Sequence, residues 1–452
     1  MSKLKAVFIC QSCTYQSPKW LGKCPECSNW NSFIEEIVSK ESRPASSISV
    51  AKKNPVCLDD VDFGEATHIS TGIGEFDRVL GGGVVPGGLV LIGGEPGIGK
   101  STLLLNMASK ISANIERPVL YISGEESLSQ IAQRARRLKV NSKKILFHSE
   151  ISTEEIASIV NQVNPGILIV DSIQTLISSQ IASPPGTVSQ LREATYELMN
   201  LAKSKNLPIF VVGHITKDGS IAGPKILEHM VDAVIYFEGD NQGIYRILRS
   251  YKNRFGNTNE VGVFEMGSSG LEEVKNPSEY FLENSNASDY GRAIVCTLEG
   301  TRPIFVEVQS LVVENRFGNG RRTTQGVDSN RLNMLVAIAE KYLSMPIGYN
   351  DIYTNVVGGL KLTSRDSDLA MLSSLLSSYK SSPIDNKTIF IGELGLSGEI
   401  RSVPQVEARI KEAAHLKYSR IITSDQSIKK INTRYPIEIV GISKINNILD
   451  FI

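Results

Sequence analysis

The run Gly94-Glu95-Pro96-Gly97-Ile98-Gly99-Lys100-Ser101 constrains this chain more than any other stretch. It follows an apolar, strand-like segment (residues 89–92) and precedes a helix-like one that begins Thr102-Leu103-Leu104-Leu105. Glycines at those spacings, between a strand and a helix, let backbone N–H groups wrap a phosphate chain. Lys100 is then placed to neutralise β- and γ-phosphate charge, and Ser101 to ligate Mg²⁺. The helix N-terminus, where Thr102 lies, favours the anion. Gly94 through Thr102 therefore read as the nucleotide-contacting residues of an ATP site.

Further apolar, strand-like runs fall at 118–123, 166–170, 208–213 and 233–238, with helical stretches between most of them. That alternation predicts an α/β fold, a parallel sheet covered by helices on both faces. The run ending in Asp171 puts an acid where a Mg²⁺ shell needs one. The run ending in Gly124-Glu125-Glu126 offers two acids, either of which could polarise an attacking water, with Glu125 preferred. The run leading into His214-Ile215-Thr216-Lys217 ends in a polar residue. His214 there can sense the γ-phosphate and relay its loss to the following loop.

Four of the six cysteines crowd into the first 27 residues as Cys10-x2-Cys13 and Cys24-x2-Cys27. Two such knuckles supply the four thiolates of tetrahedral zinc. Four thiolates leave no open position, so the ion is expected to be structural and to fold a segment with little core of its own. Trp20, Trp30 and Phe33 are expected to pack around it, with base stacking as the lesser alternative. Cys57 and Cys296 read as buried small hydrophobes.

At 452 residues the chain is too long for one ordinary domain. The expected division is a zinc ribbon at 1–38, a polar linker at 39–56, an ATPase core at 57–277 and a mixed α+β segment at 278–452. No apolar run approaches the roughly 18 residues of a membrane-spanning helix, and the N-terminus lacks a signal-peptide apolar region. The expectation is a cytoplasmic protein with no membrane partner. Formal net charge is +0, so any nucleic-acid surface must be local.

One local candidate is Arg246, Arg249, Lys252 and Arg254, a stretch with no acid in it. It reads as a solvated face, a DNA-phosphate contact, or a finger reaching a neighbouring subunit's ATP. A second is Arg316, Arg321, Arg322 and Arg331, opposed only by Asp328. That group could line a nucleic-acid channel or make contacts between domains or subunits.

Taken with the four cysteines and the phosphate loop, two further motifs give the chain a family likeness. They are Ser70-Thr71-Gly72-Ile73-Gly74-Glu75-Phe76-Asp77-Arg78-Val79-Leu80-Gly81-Gly82-Gly83 and Lys252-Asn253-Arg254-Phe255-Gly256. In these the chain resembles, over essentially its whole length, the RadA (Sms) family of bacterial DNA repair proteins. The resemblance implies a RecA-like core that hydrolyses ATP while moving on single-stranded DNA. It also implies processing of branched DNA in homologous recombination, a RecA-type recombinase as partner, and a ring of identical subunits, expected to be a hexamer. By the same resemblance Lys252 and Arg254 reach the adjacent subunit's nucleotide, and residues 172–190 and 214–230 line the DNA path. Lys217 and Lys225 are the candidate phosphate contacts in the second loop.

The third segment is similar to the proteolytic domain of Lon proteases, at residues 358–370 and 392–401. Its Ser–Lys dyad falls on Asp366 and Arg409, which implies a proteolytically inactive scaffold. Ser364 and Ser367 lie close enough to keep a serine in view. Three other readings are an ATP-dependent Lon-like protease, a regulatory ATPase resembling KaiC, and a filament-forming recombinase.

Overall fold

The computed structural model describes residues 5–10, 15–38, 68–140, 143–214, 224–239, 245–258, 260–267, 270–274, 278, 289–315, 320–357 and 360–452. The chain forms two compact units, Met1–Gly239 with Ile244–Glu273, and Asp240–Gly243 with Val274–Ile452.

The first unit begins with a small antiparallel sheet of β1 (Lys5–Cys10), β2 (Gln16–Ser17) and β3 (Phe33–Val38), in the order β2-β1-β3. Its interior among the described residues is Cys10, Cys24 and Phe33. Phe33 packs as expected, but Trp20 and Trp30 are 52% and 71% exposed. So small a core has no volume for two indoles.

The described residues after it build a nine-stranded sheet. Its strands are β4 (Leu89–Gly94), β5 (Val119–Ser123), β6 (Ile145–Ser149), β7 (Ile167–Asp171), β8 (Ile209–His214), β9 (Ala233–Gly239), β10 (Tyr245–Asn253), β11 (Val261–Gly267) and β12 (Gly270–Glu273). The order is β12-β11-β10-β9-β4-β8-β7-β5-β6. From β9 to β6 all neighbours are parallel. Alternation along each strand divides the core. In β4, Val90 and Ile92 join a cluster with Leu103, Leu104 and Met107 of α2 (Lys100–Ile111), whereas Leu89 and Leu91 join Leu191, Leu198 and Ala202 of α5 (Val188–Lys205). Side chains of period two feed two layers of helices.

The expected strands pair in parallel, and β10–β12 extend the sheet beyond them, antiparallel to their neighbours. Connections this short can join only antiparallel strands. The basic stretch is largely strand β10, with Leu248 and Ser250 buried and the cations less so. The two glycine-rich motifs meet at its end. Gly81 caps α1 (Gly74–Leu80) at φ 86°, and a Cβ there would lie 2.8 Å from Cα of Gly256. Asn253 Nδ2 donates to Val79 O at 3.3 Å.

The second unit carries a mixed seven-stranded sheet among its described residues. Its central helix, Asp368–Lys380, is buried from Asp368 through Ser378. Cys296 is fully buried on the strand Arg292–Glu299, and Cys57 lies outside the described residues. No described helix is long and apolar enough to cross a membrane.

Candidate active site and metal centre

The parallel strands deliver the predicted residues to one edge, where open α/β sheets bind ligands. β4 runs into the phosphate loop, β5 into Glu125, β7 ends in Asp171 and β8 in His214. β8 lies beside β4 and β7, so His214 stands between the loop and the acids.

The loop is built for a bulky anion. Gly97, at φ 77°, would meet nothing within 4 Å if it carried a Cβ, so the space over the loop is open. Gly99 takes φ 116° as the cap residue of α2, a conformation that favours glycine. Arg246 of β10 donates from Nε to Ile98 O at 3.1 Å and pins the loop from behind. Ser101 and Thr102 open α2 behind Lys100.

Lys100 is the hub. Its Nζ donates to Gly94 O at 2.8 Å and Glu95 O at 2.9 Å, and lies 3.2 Å from His214 Nδ1. An ammonium offers only protons, so Nδ1 accepts and Nε2 carries the hydrogen. That Nε2 faces Glu125 Oε1 at 3.1 Å. Ser172 Oγ donates to the same carboxylate oxygen. Burial lowers the Lys100 pKa to about 8, against the pull of Asp171 and Glu125. The hydrogen bond from His214, opposed by burial and helped by Ser172, holds Glu125 below its ordinary value.

Asp171 is buried and accepts from Tyr121 Oη at 2.7 Å. Burial and the Asp171 charge push the Tyr121 hydroxyl well up, so Tyr121 stays a donor and fixes one carboxylate oxygen. Glu126 turns elsewhere. It forms an ion pair with Arg134 of α3 (Leu128–Arg137), and its N–H caps on Ser123 Oγ at 3.0 Å. Of the two acids, Glu125 faces the phosphate loop's lysine.

The basic stretch is less bare than its sequence. Arg249 pairs with Glu238 at 3.7 Å and Arg254 with Asp232 at 3.3 Å. Lys252 Nζ caps the end of α6 (Pro224–Met230), donating to Glu228 O at 2.6 Å and Val231 O at 2.8 Å. The acids arrive from a neighbouring strand and a preceding turn, which is why local sequence does not display them. Arg254 keeps 60% of its side chain exposed. Asp232, absent from the predicted residues, is nearly buried and also holds Lys203 and the N–H of Leu89 at the start of β4.

Of the two predicted DNA-facing loops, the first is tightly built. Buried Gln190 accepts from Ser178 N at 2.9 Å and donates to the carbonyls of Ile181 and Ser183 at 2.8 and 2.9 Å. Lys217 and the side chain of Lys225 lie outside the described residues.

In the second unit Asp366 and Arg409 form an ion pair at 2.5 Å with each side chain 1% exposed. Ser367 is fully buried, with its hydroxyl donating to Ser364 O at 2.9 Å. It has no access to substrate, which removes one of the two serines near the dyad position. Arg331 pairs with buried Asp368, and Arg322 donates to Asn350 O at 2.9 Å and Gly348 O at 2.6 Å. Two of the four cations in the second basic group thus serve internal contacts, Arg321 is exposed, and Arg316 lies outside the described residues.

At the ribbon, the sulfurs of Cys10, Cys24 and Cys27 lie within 4.8 Å of one another, with Cys10 and Cys27 at 3.7 Å. Thiolates on tetrahedral zinc, each about 2.3 Å from the ion, stand about 3.8 Å apart. The three fit zinc, and Cys13 lies outside the described residues.

Comparisons with known proteins agree with this architecture. A family model described as an AAA domain matches residues 53–220, one described as a rubredoxin metal binding domain matches 8–35, and one described as subunit ChlI of Mg-chelatase matches 335–427. The chain is 49% identical to a DNA repair protein RadA of Bacillus subtilis (strain 168), over 98% of each chain. It is 49% identical to one from Streptococcus pyogenes serotype M1, over 100% of this chain and 99% of that one. It is 44% identical to one from Listeria monocytogenes serovar 1/2a, over 99% of each.

Proposed function

Because the chain belongs to the family of DNA repair protein RadA, we propose that its ATPase core drives movement on single-stranded DNA and the migration of branched recombination intermediates. The domain it carries makes it an ATP-hydrolysing enzyme of DNA repair and recombination. The motor reading rests on one observation, the continuous chain Lys100–His214–Glu125.

ATP placed in the loop takes the Lys100 ammonium onto its phosphates, with Gly94, Glu95, Pro96, Gly97, Ile98 and Gly99 wrapping them. Ser101 and Asp171 would hold Mg²⁺, which neutralises charge developing between the phosphates. Losing Lys100, His214 turns its ring according to whether a γ-phosphate is present. Glu125 orients and polarises the attacking water. His214 ends β8 and opens residues 215–223, so the same ring biases the loop that would face DNA.

Arg254, exposed and, among the described residues, tethered only to Asp232, is the residue suited to reach a neighbouring subunit's nucleotide across a ring. Lys252 supports it by securing the helix end beside it. A ring of this kind, expected to be a hexamer, and a RecA-type recombinase as partner complete the reading. The Asp366–Arg409 pair supports a scaffolding role for the second unit over a proteolytic one.

The test is ATP-dependent branch migration, with ATP hydrolysis measured with and without single-stranded DNA. Stimulated hydrolysis and migration, both lost in Lys100→Ala, are expected. Robust migration by Lys100→Ala would sink the motor reading.

A further inference from the structure

The chain has only two tryptophans, and both stand exposed on the zinc ribbon, at 52% for Trp20 and 71% for Trp30. They are not scattered. A Cβ on Gly22 would sit 3.7 Å from Cζ3 of Trp20 and 3.9 Å from Cζ3 of Trp30, so both indoles approach one point of the backbone. Gly22 O accepts from Asn31 N at 2.8 Å, and Lys23 bridges Trp30 across the same hairpin. The Cys24–Cys27 knuckle closes that hairpin, so zinc on those sulfurs would hold the platform in place.

The platform is also cationic. Lys23 Nζ sits 5.7 Å from the centroid of the Trp30 ring, and Lys19 precedes Trp20 directly. Large exposed apolar rings on so small a unit mark a contact surface. Aromatic faces beside lysines match unpaired bases beside phosphates, because every base offers a π-face and the lysines meet the backbone charge. A duplex hides those faces in its stack, so the surface favours a single strand.

We propose that Trp20 and Trp30 form a base-stacking platform through which the ribbon holds single-stranded nucleic acid, with Lys19 and Lys23 on its phosphates. This rests on the motor reading, to which it adds a second DNA contact outside the ATPase core. The ribbon then acts as a grip on the strand, and the zinc ion serves DNA binding by shaping the plate.

Because no other tryptophan exists in the chain, intrinsic tryptophan emission reports the ribbon alone. The experiment titrates the full-length, zinc-loaded chain with a short fluorescently labelled oligothymidylate and follows label anisotropy, with a parallel unlabelled titration for tryptophan emission. Stacking quenches the indoles in step with binding. Trp30→Ala should weaken binding about tenfold, and Trp30→Phe should restore most of it. Both variants should retain zinc in wild-type amount, and Trp20→Ala checks the second ring. Binding by anisotropy with unchanged emission and an unaffected Trp30→Ala overturns the platform but leaves the motor reading standing. No binding at all overturns both. Quenching by a recombinase filament protein but not by the oligonucleotide would assign the surface to a protein and overturn the platform.

Discussion

The ammonium of Lys100 and Nδ1 of His214 stand 3.2 Å apart, and the opposite nitrogen of that ring faces Glu125 at 3.1 Å. One side chain at the end of β8 thus joins the phosphate loop to the acid above β5. The ring can satisfy Lys100 only by directing its N–H at Glu125, so a change at either end is felt at the other.

Breaking that link should separate hydrolysis from its control. Glu125→Gln is expected to lower kcat about 100-fold or more while ATP affinity changes little, because the proposed role of the acid is to act on water rather than on phosphate. His214→Ala should keep ATP binding but lose stimulation by single-stranded DNA. Steady-state hydrolysis with and without DNA measures both, and a His214→Ala enzyme that DNA still stimulates normally would show that the ring is no relay.

The lowered Lys100 pKa of about 8 has a signed consequence. Above that pH the lysine is increasingly neutral in the nucleotide-free protein, and bound phosphates draw its proton back. ATP binding at about pH 8.5 should therefore take up protons, and at pH 7 should take up almost none from this group. Calorimetric titrations in buffers of different ionisation enthalpy read this directly. Equal proton exchange at the two pH values, or its persistence in Lys100→Ala, would contradict the assignment.

Asp232 gathers Leu89 N, Lys203 and Arg254 around one nearly buried carboxylate. Asp232→Ala leaves the buried Leu89 N–H without its acceptor, and about 1–3 kcal/mol of stability should be lost. Arg254→Ala, on an exposed side chain, should cost little stability. If Arg254 completes a neighbour's site, Arg254→Ala protein mixed with Lys100→Ala protein should recover part of the ATPase activity that each lacks. Denaturant unfolding and mixing assays give the two answers.

The buried Asp366–Arg409 pair predicts an asymmetric response. Asp366→Ala strands an uncompensated guanidinium and should destabilise the second unit by about 3–5 kcal/mol. A double replacement by apolar residues of similar volume should be far milder. Neither these variants nor Ser364→Ala should alter casein degradation, which should be absent throughout.

Metal removal should act locally. Chelation, or Cys24→Ser, should release one zinc ion per chain and unfold the ribbon, whose described core is three residues. The AAA core draws its packing from two other clusters and should keep its basal ATPase activity. Loss of core activity in step with zinc would show that the ribbon has a structural role beyond its own fold.

Much of the site was legible because its signals are local. A phosphate loop needs glycine, lysine and serine at set spacings, so Gly94 through Ser101 announce it along eight consecutive residues. Asp171, Glu125 and His214 end apolar runs of strand length, and parallel topology then requires that such ends share one edge of the sheet. The paired cysteines are equally local. Sequence favoured Glu125 but left Glu126 open, because adjacent carboxylates differ chiefly in what lies opposite them. Arg134 claims Glu126, and it stands eight residues away on a helix.

What escaped the sequence depends on partners brought from afar. Arg246 looks like a surface cation until β10 places it against the carbonyl of Ile98, 148 residues earlier. Nothing in the local sequence shows that Lys252 closes the end of α6 by donating to the carbonyls of Glu228 and Val231. Asp232 and Tyr121 carried no motif at all. By itself, the sequence determined which chemistry this chain can perform, because phosphate and metal recognition are written in short spacings. Only the tertiary structure decided which charges are spent inside the fold and which remain for partners, because an ion pair is set by distance in space rather than along the chain.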